Sequence, residues 1–114
     1  MLKIWVEKIN NNDASQIVEL YHNNALLLGT FSNIERIGES LIFDYFDNLF
    51  KSNVKVKIIS EYEHKTDSLM VSSGLYNFIV DEKKIKARFS FVFLKTVEGW
   101  KILSHHSSKL PKKT

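Results

Sequence analysis

The sequence predicts an α+β domain in which about three N-terminal helices pack on a strongly curved antiparallel or mixed sheet. Three observations predict it. Apolar residues recur at helical spacing through the first 52 positions, the period drops to two beyond Asn53, and short turns divide the remainder into segments that must pair with their neighbours. At 114 residues the chain can bury roughly two-thirds of its unfolded surface, enough for one core and a single domain over residues 1–114.

Taken in order, residues 2–9 set Leu2, Trp5, Val6 and Ile9 on one helical face, and Asn10-Asn11-Asn12 ends that segment. Asp13 is placed to cap a second helix, with Gln16 as the reciprocal half of a capping box and Ile17, Val18, Leu20 and Tyr21 as its buried stripe. Ala25 to Leu28 is too short for a helix and reads as a buried strand ending at Gly29, followed by a loop from Thr30 to Gly38. Between Gly38 and Ser52, Leu41, Ile42, Tyr45, Phe46 and Leu49 share a helical face that Phe43 and Phe50 broaden. Strands are expected at 54–63, 67–80, 84–96 and 99–108, joined at His64–Thr66, Asp81–Lys84 and Thr96–Gly99. They form a meander with the early strand at its edge, curled around the helices so that both apolar surfaces are covered.

Composition narrows the function classes. A hydrophobic fraction of 44% and a charged fraction of 25% are ordinary for a globular chain, and no apolar run nears the ~20 residues of a membrane span. The start, Met1-Leu2-Lys3-Ile4-Trp5, lacks the pattern of a secretion signal, so a cytoplasmic location is expected, without membrane partners. The absence of cysteine rules out disulfides and thiolate chemistry. The charge of +3 comes mostly from Lys, and the one basic run, Lys109 to Lys113, is a short tail; this is a pattern of solvation, and no nucleic-acid partner is expected.

Alternation then sorts the candidate site residues. In the last strand Trp100, Ile102, Ser104, His106 and Ser108 share one side; Lys101 marks the other side, with Leu103, His105 and Ser107, as outer. His106 and Ser108 are therefore expected on the concave face, with Ser107 retained because a bulge would exchange the two serines. The preceding strand divides into Lys86, Arg88, Ser90, Val92 and Leu94 against Ala87, Phe89, Phe91 and Phe93. Arg88 beside Ser90 on the inner side requires acceptors, either an anionic ligand or a carboxylate such as Glu39 or Asp44. Phe89, Phe91 and Phe93 would then face outward, as a subunit interface or beneath a covering C-terminal segment. His105 and His106, adjacent on a strand, cannot share one ion, and His22 and His64 are remote, so neither metal nor cofactor is expected. His106 among hydroxyls fits a hydrogen-bonding residue as well as a base.

Trp5, Asn12-Asp13, Leu20-Tyr21, Thr30-Phe31-Ser32, Gly74-Leu75-Tyr76-Asn77-Phe78, Ala87-Arg88-Phe89-Ser90 and the ending His105-His106-Ser107-Ser108-Lys109-Leu110-Pro111 occur in an order that resembles a known family. It is that of the calcium/calmodulin-dependent protein kinase II association domain, within the nuclear-transport-factor-2-like, SnoaL-like and cystatin-like cone fold. The resemblance covers nearly the whole chain. It implies assembly through the convex sheet into dimers or rings, and a pocket inside the cone. Arg88 matches one of the arginines that bind small carboxylates in the kinase domain, while Tyr76 and Ser107 stand where two others would fall. The His-His-Ser-Ser ending is similar to iota-class carbonic anhydrases, some of which act without metal. That similarity implies pocket hydroxyls at Thr30, Tyr45 and Ser107 or Ser108, with His106 as base or proton shuttle.

The expectation is therefore a homo-oligomer whose pocket takes a small anionic or polar molecule and hydrates carbon dioxide. The alternatives are a non-catalytic assembly or carboxylate-binding module and an isomerase or dehydratase on the same scaffold, since one fold hosts many chemistries.

Overall fold

The computed structural model describes residues 1–112, which leaves Lys113 of the basic tail outside the described residues. Helix α1 (Leu2–Asn10) buries Leu2, Trp5 and Ile9. It stops because Asn12 takes a left-handed conformation, φ 56°, which asparagine tolerates better than most residues. The asparagines do more than end the helix. Asn12 Nδ2 donates to Val54 O at 2.9 Å while its Oδ1 accepts from Val54 N at 3.0 Å, and Asn10 Oδ1 accepts from Val56 N at 2.9 Å. The backbone groups of an otherwise open sheet edge are thereby paired.

Helix α2 (Ala14–Val18) is capped by Asp13, whose Oδ1 accepts from Ser15 N at 3.0 Å and Gln16 N at 3.3 Å. The reciprocal half of the capping box does not form, because Gln16 Oε1 accepts from Lys8 Nζ instead. The helix is also shorter than expected. Tyr21 leaves it to open strand β1 (Tyr21–Leu28), which begins well before Ala25. Strand β2 (Arg36–Ile37) forms inside the expected loop and pairs with Leu26 and Leu27. Helix α3 (Glu39–Leu49) buries Ile42, Tyr45 and Phe46, whereas Leu41 turns out to solvent.

The rest is β3 (Val54–Lys65), β4 (Leu69–Val80), β5 (Lys83–Thr96) and β6 (Gly99–Lys109), an antiparallel meander as predicted. The six strands lie in the order β2-β1-β6-β5-β4-β3. The early strand is not quite the edge, since β1 runs parallel to β6 and carries β2 outside it, which makes the sheet mixed. The chain therefore adopts the α+β cone anticipated from its sequence.

Two irregularities bend the long strands. Between Ile58 and Ser60 the pairing of β3 with β4 slips by a residue; opposite the slip, a side chain at Gly74 would run into the Ser60 carbonyl. In β6, Ser104 pairs with Val92 while Ile102 pairs with Phe93, so Leu103 is an extra residue. A two-residue period with one residue inserted exchanges its faces, and everything in β6 beyond Leu103 is reversed.

Candidate functional site

That reversal decides which side chains enter the cone. His105 and Ser107 are buried, and His106 is exposed on the convex face with Ser108 half-buried beside it. On β5, Phe89, Phe91 and Phe93 are 4%, 0% and 0% exposed and point inward, while Arg88 and Ser90 lie on the convex face. Three expectations are corrected together. His106 and Ser108 are not in the concave pocket, Arg88 and Ser90 are not inner ligand-binding residues, and the three phenylalanines are core and not an outward interface. The reason is packing: three aromatic rings bury more apolar area than Val92 and Leu94 would, so that side of β5 turns to the helices. Arg88 finds neither Glu39 nor Asp44; among the described residues its one side-chain hydrogen bond runs from Nε to Ser108 Oγ at 3.4 Å.

Inside the cone the aromatic rings pack on one another. Trp5 stacks on Tyr76 at 5.8 Å between centroids, Phe91 stacks on His105 at 3.9 Å, and Tyr76 lies 4.6 Å from Phe89. Threaded through this packing is a continuous line of polar atoms. Trp5 Nε1 donates to Tyr21 Oη at 3.1 Å, and Tyr21 Oη lies 2.8 Å from His105 Nδ1. His105 Nε2 lies 3.2 Å from Tyr76 Oη, Tyr76 donates to Ser107 Oγ, and Ser107 Oγ lies 2.5 Å from Thr30 Oγ1. Buried polar groups at such density are stable only when every one is paired, and among the described residues none is left without a partner.

The electrostatics follow from burial. Loss of water pushes His105 down to about 3, with the neighbouring His106 adding a smaller effect in the same direction, so the imidazole is neutral at physiological pH. Burial raises Tyr21 and Tyr76 well above the ordinary phenol range, the hydrogen bond to Ser107 offsetting part of the rise at Tyr76. Tyr45 is pushed up to about 12 by burial against the opposing effects of the Phe31 amide and Arg36.

Of the hydroxyl residues expected at the site, Thr30 and Ser107 do come together and Tyr76 joins them. Tyr45 stands nearby, accepting from Phe31 N at 3.3 Å beneath the Arg36 guanidinium, 5.9 Å from its ring. It reaches that place because residue 29 is glycine. A Cβ there would sit 2.5 Å from ring atoms of Tyr45. Three members of the polar line were missed by sequence reasoning: His105 was set on the outer side, and Trp5 and Tyr21 were counted only as apolar helix positions. An indole and phenols spaced with a histidine carried the available signal, since buried Trp N–H and Tyr O–H groups need partners.

The line meets a surface cleft at Ser107, next to the half-buried Thr30. A cleft of about 240 Å3 there is lined by Gly29, Ser32, Asn33, Glu35, His106 and Ser107. A second cleft of about 290 Å3 on the convex face joins Arg88, Ser90, His106 and Ser108. Among the described residues no three His, Asp or Glu side chains gather in a metal-binding arrangement, and no helix is long and apolar enough to cross a membrane.

Comparison with known proteins agrees with this architecture. A protein from Xanthomonas campestris, provisionally named a calcium/calmodulin-dependent protein kinase II association domain, superposes with a TM-score of 0.91 at 27% identity, over 98% of this chain and 84% of that one. A nuclear-transport-factor-2-like superfamily protein from Salmonella enterica gives 0.84 at 17% identity over 99% and 88%. A protein from Streptomyces avermitilis of the same fold family, provisionally named a dehydratase, gives 0.88 at 12% identity over 97% and 91%. No curated protein sequence matches. The sequence pattern of the SnoaL-like domain matches residues 1–112, and the chain belongs to that family.

Proposed function

We propose that this chain is a homo-oligomeric cone protein that holds a small polar or anionic molecule against the Thr30 and Ser107 hydroxyls, with Tyr76 behind them, and that it hydrates carbon dioxide there. The observation that supports this reading is the Thr30–Ser107 contact. Two hydroxyls remote in sequence meet at 2.5 Å, are backed by Tyr76, and lie where Ser107 borders a cleft that Ser32, Asn33, Glu35 and His106 also line. Such hydroxyls orient a water molecule and donate to the oxygen on which the charge of bicarbonate develops. The water oxygen adds to the carbon of CO2, a proton leaves, and bicarbonate departs. His105 does not take that proton, being sealed in and poorly basic. His106, exposed on the rim of the same cleft, is the group placed to pass it to solvent.

Stopped-flow hydration with metal-stripped protein tests the reading. Turnover above buffer is expected, with Thr30→Val slower by about 10²-fold or more, the usual effect of removing one donor to a developing oxyanion. A rate equal to buffer, unchanged by added zinc or manganese, removes the enzyme.

A second reading is a non-catalytic assembly module, and the convex face favours it. Leu69, Val71, Leu75 and Ile79 on β4 are 37–41% exposed, and Tyr62 beside them on β3 is 69% exposed. Self-association through this face, and not through Phe89, Phe91 and Phe93, is the form of oligomer proposed, and likeness to the Xanthomonas protein supports it. Light scattering at micromolar concentration should show an oligomer that Val71→Asp dissociates without unfolding. A monomeric wild type would end both this reading and the oligomeric part of the first. Isomerase or dehydratase chemistry is less favoured, because such reactions need a base, and among the described residues no carboxylate bonds to the polar line; Glu61 accepts instead from Ser72 at 2.6 Å.

A further inference from the structure

The convex face of the four long strands carries positive charge with no negative charge to answer it. Alternation from the buried positions sets Lys57, Lys84, Lys86, Arg88 and His106 on that face. The only acids in β3 to β6 are Glu61 and Glu63, and both alternate to the other side, where Glu61 accepts from Ser72. Arg88 is the sharpest case. A guanidinium has five N–H groups to give, and among the described residues only Nε has a partner, Ser108 Oγ at a long 3.4 Å. Ser108 accepts in that bond, which leaves its own O–H to donate. Across the sheet, Ser90 pairs with both Ser73 and His106, and the two serine hydroxyls lie 2.8 Å apart. Either can donate in that contact, so one of the pair keeps a hydrogen to give. His106 has an N–H in either charge state. Arg88, Ser90, His106 and Ser108 border one cleft of about 290 Å3. Glu35 borders the neighbouring cleft that His106 also lines, and is not part of this one.

We infer that this convex cleft is a site for a phosphate group, and that the bound anion supplies the counter-charge on which two copies close. The choice of phosphate follows from charge and shape. A carboxylate offers one charge and two oxygens in a plane. Phosphate offers close to two charges and a third oxygen out of that plane, so Arg88 can take two oxygens side by side and leave the third for donors of the adjacent strand. The second half rests on the reading that copies associate through this face. Leu75, in its exposed apolar patch, is the direct neighbour of Arg88 across the β4–β5 pairing. An isologous contact presents the same face twice, so the unanswered positive charge is doubled, and like charges brought together oppose association. An anion held better by the assembled form than by the single copy tightens assembly by mass action.

The test titrates nitrogen-labelled protein in sodium chloride with inorganic phosphate at constant ionic strength. Saturable shifts of Arg88 Nε and of the Ser90, His106 and Ser108 amides are expected, while the Thr30 amide inside the cone stays in place. Sodium formate should bind at least tenfold more weakly. Arg88→Gln should weaken phosphate at least tenfold, and Arg88→Lys, which keeps the charge and loses the fork, should restore only part. Methyl phosphate in a parallel titration separates the sources: binding like phosphate supports the site for a monoester, and exclusion supports it for the free ion. Light scattering over a dilution series then reads the coupling. Phosphate should lower the dissociation constant of the oligomer at least tenfold in the wild type and leave it unchanged in Arg88→Gln. Formate binding as tightly as phosphate, or phosphate shifts that survive in Arg88→Gln, overturn the site. Saturable phosphate binding with an oligomer equally tight in chloride overturns the coupling and leaves the assembly reading standing. A monomer under every condition removes that reading and the coupling together, while the Arg88 shifts still decide the anion site.

Discussion

Acidification from pH 7.5 to pH 5 is expected to cost the fold about 2 kcal/mol through His105 alone. In the unfolded chain this imidazole titrates near 6.5, and burial lowers it to about 3 in the folded protein. Between those values the unfolded state binds a proton that the folded state refuses, so stability is complete above pH 6.5 and declines as pH falls, by about 1.4 kcal/mol per unit, until the folded protein also protonates near pH 3. By pH 5 the accumulated loss is a substantial part of the roughly 5–15 kcal/mol that holds a typical domain together. Urea unfolding at several pH values, with His105→Gln alongside, measures it. The other three histidines and all the carboxylates are common to both proteins, so the difference between them isolates His105. The wild type should lose stability across the window and the variant much less. Equal slopes, or a wild type constant from pH 7.5 to 5, would refute the claim that His105 is sealed in its neutral form.

Gly29→Ala should destabilise by about 1–3 kcal/mol, since the added methyl meets the Tyr45 ring at 2.5 Å; thermal melts of Gly29→Ala, Tyr45→Ala and the double variant should show strong positive coupling. Asn12→Ala removes both side-chain bonds to Val54 and leaves alanine at φ 56°, for a loss of about 2–3 kcal/mol by chemical denaturation, of which Asn12→Gly should recover the backbone part. Gly74→Ala collides with the Ser60 carbonyl at the slip in β3, and circular dichroism melts should show a comparable or larger loss, because the obstacle is backbone that cannot rotate away.

Much of this architecture could be read from periodicity. The Leu2-Trp5-Ile9 spacing, the switch to alternation at Val54 and the turns ending at Gly99 gave the helices and the meander nearly in place. What alternation cannot supply is the absolute face of a strand or the location of an inserted residue. Leu103 carries no mark of a bulge, so the sequence pointed His106 inward and His105 outward, the reverse of their positions. On β5 both sides were apolar, and only the volume available beneath the helices separates Phe91 from Val92. The hydroxyl partners fared better: Thr30 and Ser107 were both singled out, through family likeness, whereas their connection to Trp5 by way of Tyr21 and His105 depends on three-dimensional proximity that no local pattern encodes. In the sequence Gly29 reads only as the end of a strand, and its purpose is visible only beside Tyr45.

The parallel pairing of β1 with β6 ties an early part of this domain to a late one. Ile102 N donates to Leu20 O at 2.8 Å, and Tyr21 pairs with Ile102. While the protein is being synthesised, β1 therefore waits with an unpaired edge, and Tyr21 without its imidazole, until residues 99–109 clear the ribosome. Loop closure over such a span is slow, and an open edge during the wait invites pairing with another nascent copy. Expression yield should accordingly depend on how quickly β6 emerges to pair with β1 as well as on the stability of the finished fold.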